Sequence, residues 1–317
     1  MANTAVFGVM FVDVKCFSFG KYNPQGRNLG DIKFIHGGVS RNIAEDFANV
    51  GADVTFVTMA ENSAIGKEAI EKLRKAGVDL EYIKNVEENA MGMWVVILNE
   101  EGDVAGQISK MPDITALNEF IDEKGDEIVK NCKNIILEFD MGEEISEKIL
   151  TLAEKYGKSV YSIVGNMSVI LKRRDFVKRT DCFICNEIEI GNLLEKDLTN
   201  ATPEEMANEL CYAADTYDYP SMVVTMGKNG AAYFDKKTRE KGHCPAKKVK
   251  LVDSSGAGDA FLSGTVIGLS NGFSLGQSVV IGTYMASLTV QCKQSSCPRT
   301  DVLGRVDVEE KKLVQFV

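Results

Sequence analysis

The sequence is poor in histidine and in the features that mark membrane or nucleic-acid partners. His36 and His243 are the only imidazoles in 317 residues. His36 has no close Cys or His partner in sequence and His243 has only the adjacent Cys244, so a zinc site is not expected. No apolar run approaches the roughly 20 residues of a membrane helix. The opening MANTAVFGVMFVDVK lacks a basic segment before its apolar stretch and reads as a buried strand, not a secretory signal. Basic residues are outnumbered, 36 Lys and Arg against 46 Asp and Glu, for a net charge of −10. Phosphate backbones need basic surface, so nucleic acid is not an expected partner. No G-x-x-x-x-G-K-[ST] loop occurs, and no dinucleotide fingerprint follows the first strand, which removes two nucleotide-binding classes.

Eight cysteines are present, but they are scattered through a chain too long to need a disulfide framework, so reduced thiols and a cytoplasmic location are expected. The one C-x-x-C is Cys182-Phe-Ile-Cys185. On a strand, residues three apart point to opposite faces, so these thiols would share neither a metal nor a disulfide.

What is present is the composition of a globular α/β protein: 44% hydrophobic and 26% charged residues, with short apolar runs alternating with amphipathic stretches. Core strands are expected at Ala5–Val12, Val54–Met59, Asn134–Glu138, Ser159–Ile163, Asp181–Cys185 and Ser221–Thr225. Helices are expected near Arg41–Val50, Ile65–Ala76, Glu143–Tyr156 and Pro203–Ala214, the last opened by a Thr202, Pro203, Glu205 capping box. Phe17–Ile35 and Met91–Ser109 break the rhythm. The second reads as a hairpin turning at Asn99–Asp103, and together they would form a small flap. No solenoid-period repeat is evident.

The stretch carrying most chemistry is Leu251-Val-Asp253-Ser-Ser255-Gly256-Ala257-Gly258-Asp259-Ala-Phe261. A strand end, a glycine turn and an apolar helix place backbone N–H groups where they can hold an anion. Asp259 falls in the first helical turn, within reach of that anion, where it can take a proton from an attacking hydroxyl. A carboxylate base beside a phosphate cradle points to phosphoryl transfer. The same Gly-x-Gly turn followed by Asp is also what a simple helix N-terminus looks like.

Asp253–Phe261 resembles the D-T-x-G-A-G-D-x-F signature of the ribokinase-like (PfkB) carbohydrate and nucleoside kinases. Gly37-Gly38-Val-Ser-Arg-Asn42-Ile-Ala44 is similar to that family's G-G-x-x-x-N-x-A, Asn186-Glu-Ile-Glu189 to its N-x-x-E, and Thr225-Met-Gly227-Lys-Asn-Gly230 to its T-x-G-x-x-G turn. The resemblance implies a three-layer αβα sandwich with a small β-sheet lid. Its core would take residues 1–16, 37–88 and 113–317 and its lid residues 17–36 and 89–112. It implies Asp259 as catalytic base, with Gly256, Ala257 and Gly258 as anion-hole donors. Asp13, Gly38 and Asn42 would hold the substrate, and Asn186, Thr225 and Gly227 would bind ATP. Glu189 would bind Mg²⁺ through water, and Asp253 and Ser255 would supply carbonyls to a K⁺ site facing the loop near Cys292–Ser296. A nucleoside or sugar is the implied acceptor, and the apolar flap edges suggest a homodimer through the lid. Residues 32–45, with Arg41 before Asn42, look closest to the pseudouridine kinase branch. A ribokinase-like or fructokinase-like enzyme, or an inactive nucleoside-binding relative, are the other readings.

Overall fold

The computed structural model describes residues 3–101, 103–306 and 314–316. Fourteen strands are present among them: β1 Thr4–Phe7, β2 Met10–Ser18, β3 Gly30–Gly37, β4 Val54–Glu61, β5 Ile83–Val86, β6 Met91–Leu98, β7 Val104–Lys110, β8 Asn134–Glu138, β9 Ser159–Ile163, β10 Cys182–Asn186, β11 Ser221–Thr225, β12 Ala231–Phe234, β13 Lys241–Cys244 and β14 Val314–Phe316. The helices are α1 Val39–Asn49, α2 Ala64–Ala76, α3 Thr115–Asn131, α4 Glu143–Tyr156, α5 Ser168–Lys172, α6 Arg174–Lys178, α7 Glu187–Leu194, α8 Pro203–Tyr217, α9 Ala257–Ser270, α10 Leu275–Thr289 and α11 Val302–Arg305.

Ten strands form the main sheet, in the order β14-β13-β12-β11-β10-β9-β8-β1-β4-β5. From β11 to β5 all neighbours are parallel, and β12 to β14 extend the sheet antiparallel. The parallel strands are buried on both faces, which is why they read as continuous apolar runs. Side chains alternate between two cores. Ala5 and Phe7 join the cluster under α3, α4 and α8, whereas Val6 joins the cluster under α1, α2, α9 and α10. Cys182 and Cys185 divide in the same way, one to each face of the sheet, and none of the eight cysteines is in a disulfide. Thr202 and Glu205 form the expected capping box of α8.

The second sheet has the order β3-β2-β6-β7. Here the structure departs from the single strand expected over Ala5–Val12. The chain leaves the main sheet after Phe7, bends at Gly8-Val9, and re-enters the smaller sheet at Met10. Residues 10–16, placed at the end of the first core segment, thus lie on a strand of the small sheet, while Met10, Val12 and Val14 still pack into the core under α1, α2, α9 and α10. Apolar periodicity could not reveal this, because both strands are buried at the bend: Val6, Phe7, Val9, Met10 and Val12 are all at most 3% exposed. Among the described residues no helix is long and apolar enough to cross a membrane.

Candidate active site

The carboxyl ends of the parallel strands, where open α/β sheets hold ligands, face the small sheet and the start of α9. Gly256 caps α9 with φ of +77°. A side chain there would collide with the Ser295 carbonyl, so the turn needs glycine for conformation and for space. Ala257 and Gly258 follow with their N–H groups at the helix start, and nothing lies within 4 Å of where a Gly258 Cβ would be. They line a cleft of about 420 Å³ together with Thr225, Gly227, Ser254 and Phe261.

Asp259 lies in the first turn of α9, 9% exposed. Its Oδ2 accepts a hydrogen bond from Asn42 Nδ2 at 2.7 Å. Burial pushes its carboxyl up to about 7, against the lowering effect of the Asn42 hydrogen bond and the Arg41 charge. A buried carboxylate that titrates near neutrality beside backbone donors can accept a proton from a hydroxyl.

Asn42 sits on α1, which begins at Gly38 with φ of +101°. A Cβ at Gly38 would stand 2.8 Å from the Val9 carbonyl oxygen and 2.9 Å from the Phe11 nitrogen, so glycine is what lets α1 start against the bend between the sheets. Arg41, which the sequence set apart as a branch marker, is 1% exposed. Its Nη1 donates to the His36 carbonyl at 3.0 Å and to Asn42 Oδ1 at 2.7 Å, and its Nη2 to Glu45. With Oδ1 occupied by Arg41, the Asn42 amide presents its NH₂ to Asp259. Arg41 thus acts on the base through Asn42.

Asp13 lies on β2, paired with Ile35 of β3. Burial raises its carboxyl, while Lys15 and Arg41 draw it down. Lys15, two residues on and therefore on the same face, donates from Nζ to Ser255 Oγ at 3.1 Å and pairs with Asp253 Oδ2 at 3.5 Å. It joins the small sheet to the turn before α9, and sequence reading missed it. Asp253 also accepts from the Ser255 backbone nitrogen at 2.8 Å.

Asn186 and Glu189, which the resemblance implies as ATP and Mg²⁺ contacts, also have a local structural role. Asn186 is the N-cap of α7: its Oδ1 accepts from the Ile188 and Glu189 nitrogens, each at 2.9 Å, and Glu189 Oε2 accepts from the Asn186 nitrogen at 2.8 Å. N-x-x-E is here a capping box, which occupies one Glu189 oxygen. Burial and the Asp140 charge both raise Glu189. Asp140, just past β8, is pushed up to about 6 by burial and accepts from the Gly165 and Asn166 nitrogens, each at 3.1 Å. Glu138 is pushed up to about 8, by burial first and the Asp140 charge second. These two acids were also missed: the sequence marks only an acid at the end of an apolar strand, and β8, β9 and α7 meet only in three dimensions.

Thr225 ends β11 in register with Asn186 at the end of β10, and Gly227 opens the turn after it. Among the described residues no group of three or more His, Cys, Asp or Glu is placed to hold a metal ion. The carboxylate pair of Asp140 and Glu189, each disfavoured as an anion by burial, still suits a hydrated divalent cation that keeps most of its ligands from water and phosphate.

The comparisons with known proteins give a family and a fold. The profile "pfkB family carbohydrate kinase" matches residues 1–301. Guanosine-inosine kinase of Exiguobacterium acetylicum is 33% identical over 290 residues, 90% of this chain and 94% of that protein. Pseudouridine kinase of Escherichia coli is 23% identical over 306 residues, 96% of each chain. The structure of Arabidopsis thaliana ribokinase complexed with ribose and ATP superposes with a TM-score of 0.79 at 22% identity, covering 96% of this chain and 98% of that one.

Proposed function

This chain belongs to the pfkB family of carbohydrate kinases, phosphotransferases with a hydroxyl acceptor, and we propose that it transfers the γ-phosphoryl of ATP to the 5′-hydroxyl of a ribonucleoside. The observation that carries the reading is Asp259, buried at the N-terminus of α9 with its carboxyl near neutrality. In this reading ATP lies in the cleft beside Thr225 and Gly227, and Asp13, Gly38 and Asn42 hold the ribose. Asp259 takes the proton from the attacking hydroxyl. The N–H groups of Gly256, Ala257 and Gly258 receive the charge that grows on the transferred phosphoryl. Mg²⁺, held through water near Glu189 and Asp140, would neutralise the phosphate oxygens.

A purine ribonucleoside is favoured, because the guanosine-inosine kinase is 33% identical to this chain and the pseudouridine kinase 23%. Pseudouridine stays as the second acceptor, on the Arg41-Asn42 pattern. A K⁺ site at the Asp253 and Ser255 carbonyls is supported by the Ser295 carbonyl packed against Gly256 and by the buried, unpartnered hydroxyl of Ser296. Turnover of inosine, guanosine, pseudouridine, ribose and fructose, each in K⁺ and in a large organic cation and with and without chelator, tests all of this. Inosine and guanosine should give the highest kcat/KM, with chelator abolishing turnover and K⁺ raising it. Turnover confined to a free hexose would sink the acceptor assignment, and equal rates in both cations the K⁺ site.

The outer face of the small sheet supports a dimer. Register places Ile32 and Phe34 beside Cys16 and Val14, and Ile108 beside Val95. Ile32, Phe34 and Ile108 are 59%, 63% and 75% exposed, apolar side chains open to solvent of the kind that mark an interaction face. A second copy pairing through this face would cover it. Sedimentation should give a dimer that Phe34→Lys with Ile108→Glu converts to a monomer; a monomeric parent chain would refute it. The absence of disulfides among the cysteines and the small-molecule chemistry support a cytoplasmic location in this reading.

A further inference from the structure

The chain has one tryptophan, Trp94, on β6. Register pairs Trp94 with Asp13 and Val96 with Lys15 across β2 and β6, then Trp94 with Ser109 and Val96 with Gln107 across β6 and β7. Paired residues project to the same face of a sheet. Asp13, Lys15, Trp94 and Gln107 therefore share one face, and it is the face turned to the active site, since Lys15 reaches Ser255 and the charge of Asp13 acts on Asp259. Trp94 is half-buried and Gln107 exposed.

Trp94 Nε1 donates to Gln107 Oε1 at 3.0 Å. The bond holds the indole plane and settles the direction of the amide. With Oε1 accepting, the Gln107 NH₂ group is presented as a donor beside the indole. An aromatic plane next to the carboxylate that would hold a ribose is a stacking platform, and a neighbouring N–H donor matches a ring carbonyl better than a ring amine.

We propose that Trp94 and Gln107 form the base subsite, in which the indole stacks on the nucleobase and the Gln107 amide donates to an oxo group, so that the preferred acceptor is an oxo-base nucleoside such as a 6-oxopurine. This rests on the ribonucleoside reading and adds which side chains read the base. An aminopurine would set amine against amide donor, and free ribose would leave the platform empty.

Because Trp94 is the only indole, its fluorescence reports the subsite directly. Inosine titrated into the full chain without ATP should change it saturably, adenosine should need a much higher concentration, and ribose should leave it unchanged. Trp94→Leu should raise KM for inosine by about tenfold to a hundredfold, the loss of one base stack, with kcat within about threefold. Trp94→Phe should recover most of the loss, and Gln107→Glu, an acceptor only, should shift preference toward adenosine. Inosine phosphorylation with unchanged fluorescence and an unchanged KM in Trp94→Leu would overturn the subsite while leaving the nucleoside kinase reading intact. Turnover of free sugars alone would overturn both.

Discussion

Asp259→Asn is expected to lower kcat about 100- to 10,000-fold, the range a positioned general base supplies, while nucleotide affinity stays near that of the parent chain. Asparagine keeps the shape, and its Oδ1 can still accept from Asn42 Nδ2, the bond that orients the native side chain at 2.7 Å. What is lost is a group that can take a proton. With its carboxyl pushed up to about 7, the native base works only once deprotonated, so kcat/KM should rise with pH through neutrality and level off above it. The variant's residual activity should lack that limb. Stability moves the other way. A carboxyl raised by folding contributes most below the ordinary Asp range, about pH 4, and that contribution is lost as pH rises through about 7. Asparagine cannot ionise, so the variant should melt above the parent at about pH 8 and level with it near pH 4. Single-turnover kinetics, nucleotide calorimetry and thermal melts at both pH values check this. Near-normal turnover would remove Asp259 from the base role.

The second large effect is at Arg41. Arg41→Met leaves the carboxylate of Glu45, itself 5% exposed, with Lys72 at 3.4 Å as its remaining ion-pair partner. Breaking a buried ion pair by removing one partner costs about 3–5 kcal/mol, a large share of the 5–15 kcal/mol by which a domain is typically stable. The catalytic consequence is separate. Arg41 supplies a charge that draws the Asp259 carboxyl down and a hydrogen bond that fixes the Asn42 amide. Without either, the acid limb of the pH profile should move to higher pH. Arg41→Lys restores the charge but not the planar fork that serves His36, Asn42 and Glu45 together, so it should recover part of the pH shift and little of the stability. Urea denaturation and pH–rate profiles of both variants separate the two effects. An unshifted limb in Arg41→Met would show that Arg41 matters for folding alone.

The glycine turn at 256–258 with Asp259 was legible because a short segment supplies donors, base and helix start together, and chain order alone puts them within reach. The buried strands and the α8 capping box were legible for the same reason: alternation, apolar runs and N-cap chemistry are local. Asn186 and Glu189 stood out by their resemblance to the family's N-x-x-E, yet the same spacing is also that of a capping box, and only the hydrogen bonds show it holding α7.

By itself the sequence shows two imidazoles, a net charge of −10 and no G-x-x-x-x-G-K-[ST] loop. Tertiary structure decided what lies far apart in the chain. Lys15 meets Ser255 across 240 positions, and Asn42 meets Asp259 across 217. The bend after Phe7 sends the chain from one sheet to the other within a run that is apolar throughout. Burial, which moves Asp259 from an ordinary carboxyl to one titrating near neutrality, is a property of all the elements packed around a side chain, so no stretch of sequence specifies it alone.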